Sequence, residues 1–124
     1  KNCLQAMSGM IGTIKFLPEN MKKMCSFGFL TATDMADWFV QELNMNFRDS
    51  HKLTGEIVKL AELKKLPLEK LSLKELKKFN SKITDRLYDA IDLKNSIDNK
   101  KSVGGTSTAH VQREIELAKE KWLK

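Results

Sequence analysis

Apolar residues recur at helical spacing along nearly the whole chain, and no segment shows strand alternation flanked by hairpin turns. That single property confines the chain to an all-α fold. Leu4, Met7, Ile11 and Ile14 form one stripe, backed by Ala6, Gly9 and Gly12 on the remaining faces. Pro18-Glu19 is a good first-turn pair for a second helix, which the left-handed preference of Gly28 would stop. Met35, Trp38, Phe39, Val40 and Leu43 build a wide apolar face on a third. Leu53, Ile57, Leu60 and Ala61 build a fourth, which Pro67 would end. Val111, Ile115, Ala118 and Trp122 repeat the spacing of the first stripe near the other end.

The starts of these helices are marked as clearly as their faces. In "GFLTATDMADWFV", Thr31 can cap the first turn while Asp34 reaches back to the cap amide, with Leu30 and Met35 placed as a staple. Asn46 with Asp49, and Ser72 with Glu75, repeat the box; Leu71 and Leu76 staple the latter. Thr84 is expected to cap a short helix that Ile83 and Tyr88 staple. Residues 94–106, "KNSIDNKKSVGGT", have no periodicity and read as a loop, from which Gly104-Gly105 turns the chain into Thr106, the expected cap of the last helix.

A chain of 124 residues with 41% hydrophobic and 31% charged side chains can bury a core of its own and is not disordered. No stretch approaches the ~20 apolar residues of a membrane span. The first residues are Lys1-Asn2-Cys3, without an initiating Met or a signal-peptide pattern, so the true start is expected upstream in an unexported, cytoplasmic protein. Cys3 and Cys25 lie in apolar helical settings with no metal-ligand spacing, and are expected to be reduced core thiols. The net charge of +6 concentrates in residues 59–82, where eight Lys face three Glu. Nucleic-acid recognition leans on the planar fork of Arg, and only Arg48, Arg86 and Arg113 are present among the 22 basic residues. Phe79 is the one aromatic of that stretch, so there is no stacking platform, and a solvated helix face is the simpler account.

Chemistry-bearing residues are sparse. His51 and His110 stand alone, each better placed as a surface or helix-end histidine than as a catalyst. Asp34 has its cap, and Asp37 is a solvated first-turn acid. Gly104-Gly105 lacks the spacing and the Lys of a phosphate loop. These residues support no catalytic site, no cofactor and no metal.

Several segments in register nevertheless carry a resemblance. "LPENM" at 17–21, "GFLTATDMADWFV" at 28–40, "FRDSH" at 47–51, "LEKLSLKEL" at 68–76 and "GGTSTAHV" at 104–111 follow the order and spacing of the carboxyl-terminal part of argininosuccinate lyase. The resemblance spans essentially the whole chain. Departures are small: Ser107-Thr108 stands where the family often has Ala-Pro, and Trp38 where it often has Tyr.

The resemblance implies a fumarase-like homotetramer built around a long helical bundle, eliminating fumarate from the small-molecule substrate argininosuccinate. A serine on a mobile Gly-Ser-Ser-x-Met-Pro-x-Lys-x-Asn loop takes the proton, and a Thr-His pair assists. Neither motif occurs in these residues, so no catalytic residue is assigned here and all are expected upstream of Lys1. The implied division is the end of a central-bundle helix over residues 1–17 and a small helical domain over 18–124. A stand-alone helical interaction module and a basic nucleic-acid-binding domain remain as alternatives.

Overall fold

A computed structural model describes residues 1–25 and 28–123, and among these every regular element is helical. The helices are α1 (Asn2–Gly12), α2 (Pro18–Cys25), α3 (Ala32–Leu43), α4 (Phe47–Lys64), α5 (Leu73–Phe79), α6 (Arg86–Ile91), α7 (Leu93–Asp98) and α8 (Thr108–Trp122), with a 3₁₀ turn at Leu68–Lys70. The all-α reading therefore holds. α2 opens at Pro18 as expected, and Gly28 takes a left-handed φ of 85°. The residues joining Cys25 to Gly28 lie outside those described.

One core sits in the middle of the chain. Met35, Trp38 and Phe39 of α3 meet Ile57 and Ala61 of α4, and Leu68, Leu71, Leu76, Ile83, Leu87 and Ile91 close over them from the second half. Trp38 and Phe39 pack edge to face with ring centroids 5.7 Å apart, the arrangement their quadrupoles favour. Between α3 and α4, Asn44 turns the chain in the left-handed conformation, which Asn tolerates better than most residues. The Ser50 hydroxyl then donates to the Ala36 carbonyl across the buried α3–α4 contact.

Of the three expected capping boxes, Ser72–Glu75 forms in full and Asn46–Asp49 in part, its return bond coming from the side-chain amide and not the backbone. Asp49 N–H donates to Asn46 Oδ1 at 2.9 Å, and Asn46 Nδ2 donates back to Asp49 Oδ2 at 2.6 Å. Glu75 accepts from the Ser72 amide at 2.9 Å and hydroxyl at 2.7 Å, and its other oxygen pairs with Lys64. Leu71 and Leu76, the expected staple, are both in the core.

The box at Thr31 does not form. Gly28 and Phe29 (φ 54°) bring the chain in through a tight turn, and Thr31 sits at φ −87°, ψ 8° instead of the extended conformation a capping side chain needs. Its side chain makes no cap bond and is buried, while Leu30 is left exposed, so the staple with Met35 is absent as well. Released from the cap, Asp34 reaches across the fold instead: it accepts from Ser96 Oγ at 2.8 Å and from Lys100 Nζ at 3.0 Å.

Further departures cluster at element ends. Residues 94–106 are not all loop, because Asp92 caps α7 by accepting from the Asn95 amide at 3.0 Å. The cap position of α8 is Ser107, one residue beyond Thr106. Thr84 contributes only its carbonyl, to Leu87 N–H, and α6 starts after Asp85 without a side-chain cap. α4 stops at Lys64, where Lys65 turns left-handed, before Pro67 is reached.

Candidate functional site

Each residue with potential chemistry has a local structural role or none. His51 is exposed on the second turn of α4, its ring 5.2 Å from that of Phe47. His110 has Nδ1 3.2 Å from the Ser102 carbonyl; a carbonyl only accepts, so Nδ1 carries the proton. The two histidines lie on different helices, and among the described residues no carboxylate is bonded to either ring. Asp37 is exposed, as expected, and Asp34 is held by Ser96 and Lys100. The thiols depart from expectation: both are free, but Cys3 is exposed on α1 and Cys25 only partly buried, because α1 and α2 bury no residue of their own.

Electrostatics point the same way. Among the described residues no group of His, Cys, Asp or Glu could hold a metal ion, and no helix is long and apolar enough to cross a membrane. The eight lysines of residues 59–82 are all exposed, spread over the end of α4, the 3₁₀ turn, α5 and the loop beyond it, and Lys64 is paired with Glu75. They do not converge on a groove lined by aromatic rings. Tyr88 has a phenol pushed above its ordinary value by burial, with its hydroxyl donating to the Leu71 carbonyl at 2.7 Å. That contact ties α6 to the segment before α5 and faces no cavity chemistry.

What the fold leaves unsatisfied is apolar surface at its two ends. On α1, Leu4, Met7 and Ile11, with Ile14 just past its end, are 56% to 73% exposed, and residues 2–14 carry no charge with which to face water. On α8, Val111, Ile115 and Trp122 are exposed on a helix with no buried residue. Soluble chains seldom leave such contiguous patches uncovered. Sequence periodicity marked both stripes but could not say whether they face this chain's own core; the structure shows that they do not.

The comparisons fit that geometry. The family model described as Argininosuccinate lyase C-terminal matches residues 29–98, the span that holds nearly all of the core. Over 94% of the chain the sequence is 41% identical to an argininosuccinate lyase of Ehrlichia chaffeensis, and over 91% it is 44% identical to one of Hyphomonas neptunium. A Chelativorans argininosuccinate lyase is 42% identical over 95% of the chain. In each case the chain spans only about a quarter of the relative's length. The matched residues run through the α3–α4 pair, the Asn46 and Ser72 caps and the Asp92 cap of α7, and they cover more than half of the chain: this chain belongs to the argininosuccinate lyase C-terminal family.

Proposed function

We propose that this chain is the carboxyl-terminal part of a cytoplasmic argininosuccinate lyase, which cleaves argininosuccinate to arginine and fumarate in arginine biosynthesis. The observation that carries the reading is the division of labour within the chain. A self-contained core lies between Thr31 and Ser107, and beside it stands an uncharged helix with nothing of its own to pack on. Such a helix suits the end of a central bundle, over residues 1–17, completed by other helices of the same protein and of partner subunits in a homotetramer. Residues 18–124 form the appended helical domain. The base, the acid and the donors for the developing aci-carboxylate charge come from the remainder of the protein, because elimination needs them preorganised around one substrate.

Two assays test this. The pure chain, given argininosuccinate, releases no fumarate above the uncatalysed background; measurable turnover overturns the reading. In a chimera, the chain replaces the matching quarter of the Ehrlichia chaffeensis lyase. Retained fumarate release supports the reading, and a folded but inactive oligomer counts against it.

A further inference from the structure

α4 breaks the local rules of helix building three times on one exposed side. Gly55 stands in the middle of this 18-residue helix, where glycine is worse than every residue except proline. Nothing in the chain repays it. Its backbone is ordinary right-handed helix, and a Cβ there would meet nothing within 4 Å, so neither a turn nor a close approach within the chain calls for glycine. Phe47 is 63% exposed at the start of the helix, its ring resting on that of His51 instead of entering the core. Arg48 puts a positive charge in the first turn, where the helix dipole favours an acid.

The three lie together. Phe47, His51 and Gly55 follow one another at four-residue steps and form a single ridge, all of it exposed. Arg48, three before His51, and Lys52 and Lys59, three before and four after Gly55, border that ridge. Among the described residues none of these three cations has an ion-pair partner. The ridge lies outside the stripe of Ser50, Thr54, Ile57 and Ala61 that α4 buries within this chain.

Residues set against a helix's own interest mark a surface that something else completes. A second helix crossing at Gly55 accounts for all three. The missing side chain lets the two backbones come as close as packed helices do, Phe47 gains an apolar cover, and acids on the incoming helix pair with the basic border. A second copy of α4 would bring that basic border against itself. The chain spans about a quarter of its relatives' length, which leaves many helices of such a protein to choose from. We propose that the Phe47–His51–Gly55 ridge seats a helix from the part of the same protein outside these residues. That helix carries a small residue at the crossing and carboxylates facing Arg48 and Lys52. This choice of partner rests on the lyase reading.

Hydroxyl-radical footprinting, read by mass spectrometry, compares the 124-residue chain with the chimera that carries it in the Ehrlichia chaffeensis lyase. Phe47 and His51 are oxidised readily in the chain alone and severalfold more slowly in the chimera. Substitutions separate docking from folding. Gly55→Ala and Arg48→Glu each relieve α4 of a local cost, so the chain alone melts at least as high as the parent. In the chimera, Gly55→Leu and Arg48→Glu lower the melting temperature, by a clash at the crossing and by repulsion beside it. Equal oxidation of Phe47 and His51 in the two proteins, or a chimera that tolerates both substitutions, overturns the proposal. So does Gly55→Leu lowering the melting of the chain alone by as much as that of the chimera, because Gly55 then serves the chain's own packing. No readout needs turnover: an inactive chimera with the ridge protected drops the lyase reading and keeps the docked helix, and an active one with the ridge open does the reverse.

Discussion

Tyr88→Phe isolates one hydrogen bond and one titration in a single substitution. Tyr88 is the chain's one tyrosine, and its hydroxyl donates to the Leu71 carbonyl at 2.7 Å while its ring packs against the core. Phenylalanine keeps the ring and deletes the donor, so the cost at neutral pH is that of the net hydrogen bond, about 1 kcal/mol. For a domain of this size that lowers Tm by roughly 3–6 °C. The pH dependence supplies the sterner test. Burial raises the phenol above its ordinary value of 10.0, so the folded chain holds the proton to higher pH than the unfolded chain does. The unfolded state therefore binds fewer protons in the alkaline range, and the contribution of Tyr88 is fully present below pH 10 and lost as pH rises through the folded value. The Phe variant lacks this loss. Urea unfolding of both proteins, from pH 7 to beyond 10, should show the gap between them closing with alkalinity. The lysines, which also titrate there, are common to both and cancel. Tyrosinate absorbance, which in this chain reports Tyr88 alone, should have its midpoint above that of the denatured protein. A gap that stays constant or widens with pH, or a folded phenol titrating at or below the denatured value, would refute the argument.

Asn46→Ala should cost about 1 kcal/mol by denaturant unfolding, since it removes the acceptor of the Asp49 amide. Thr31→Val should stay within about 0.5 kcal/mol of the parent because no cap bond is lost; a full capping penalty there would contradict the observed turn. Asp34→Asn should cost about 1 kcal/mol through Ser96 and Lys100, and should speed amide exchange in α7 more than in α3; equal protection in both would show that the contact does not hold α7 in place. The lysines of residues 59–82 should bind DNA weakly, without sequence preference, and lose it near physiological salt, as loosely placed charges do; tight binding in fluorescence anisotropy at that salt would restore the nucleic-acid alternative.

The elements were legible where signals of different range agreed. At Asn46–Asp49 and Ser72–Glu75 the cap residue, the acid three positions on and the following apolar face all specify the same helix start, and the structure has both. Thr31–Asp34 presents the same pattern, yet the residues before it decide otherwise. With Gly28 and Phe29 both left-handed, the approach to the helix is fixed by a turn whose φ values no capping rule contains. Asp34 was then free for a partner more than sixty positions away, a distance that local reasoning does not reach. α7 was missed for the opposite reason: six residues are too few to establish a period, although Asp92 three positions before Asn95, and Ser96 four before Lys100, were there to be weighed. The candidate surface divides likewise. The stripes of α1 and α8 were plain from spacing, whereas Gly55 is out of place only once the fold shows that nothing in the chain approaches it.

The α1 stripe can be tested on this chain alone. An isolated helix of 11 residues is marginal in water, and α1 gains nothing from the core, since none of its residues is buried. Its existence as a stable helix therefore depends on neighbours. Leu4, Met7 and Ile11 lie on one side, with Ile14 just past the helix end, and the absence of charge over residues 2–14 gives no opposing face to hold in water. The chain at working concentration should thus dimerise or form a higher oligomer through α1, with copies standing in for the helices that would surround it in the whole protein. Met7→Asp puts a carboxylate in the middle of that interface, where an unpaired charge costs several kcal/mol, and each 1.4 kcal/mol is tenfold in affinity. Association should be lost over any practical concentration range. The same substitution lies outside the core that begins at Thr31, so α3 to α7 should keep their helicity and their unfolding transition. Sedimentation velocity reads the first effect and circular dichroism the second. Ile115→Asp, on the α8 stripe, serves as the comparison: if it dissociates the oligomer while Met7→Asp does not, the surface that assembles is α8. A parent chain that sediments as a monomer would mean that α1 folds back onto its own domain, and the bundle assignment of residues 1–17 would fall with it.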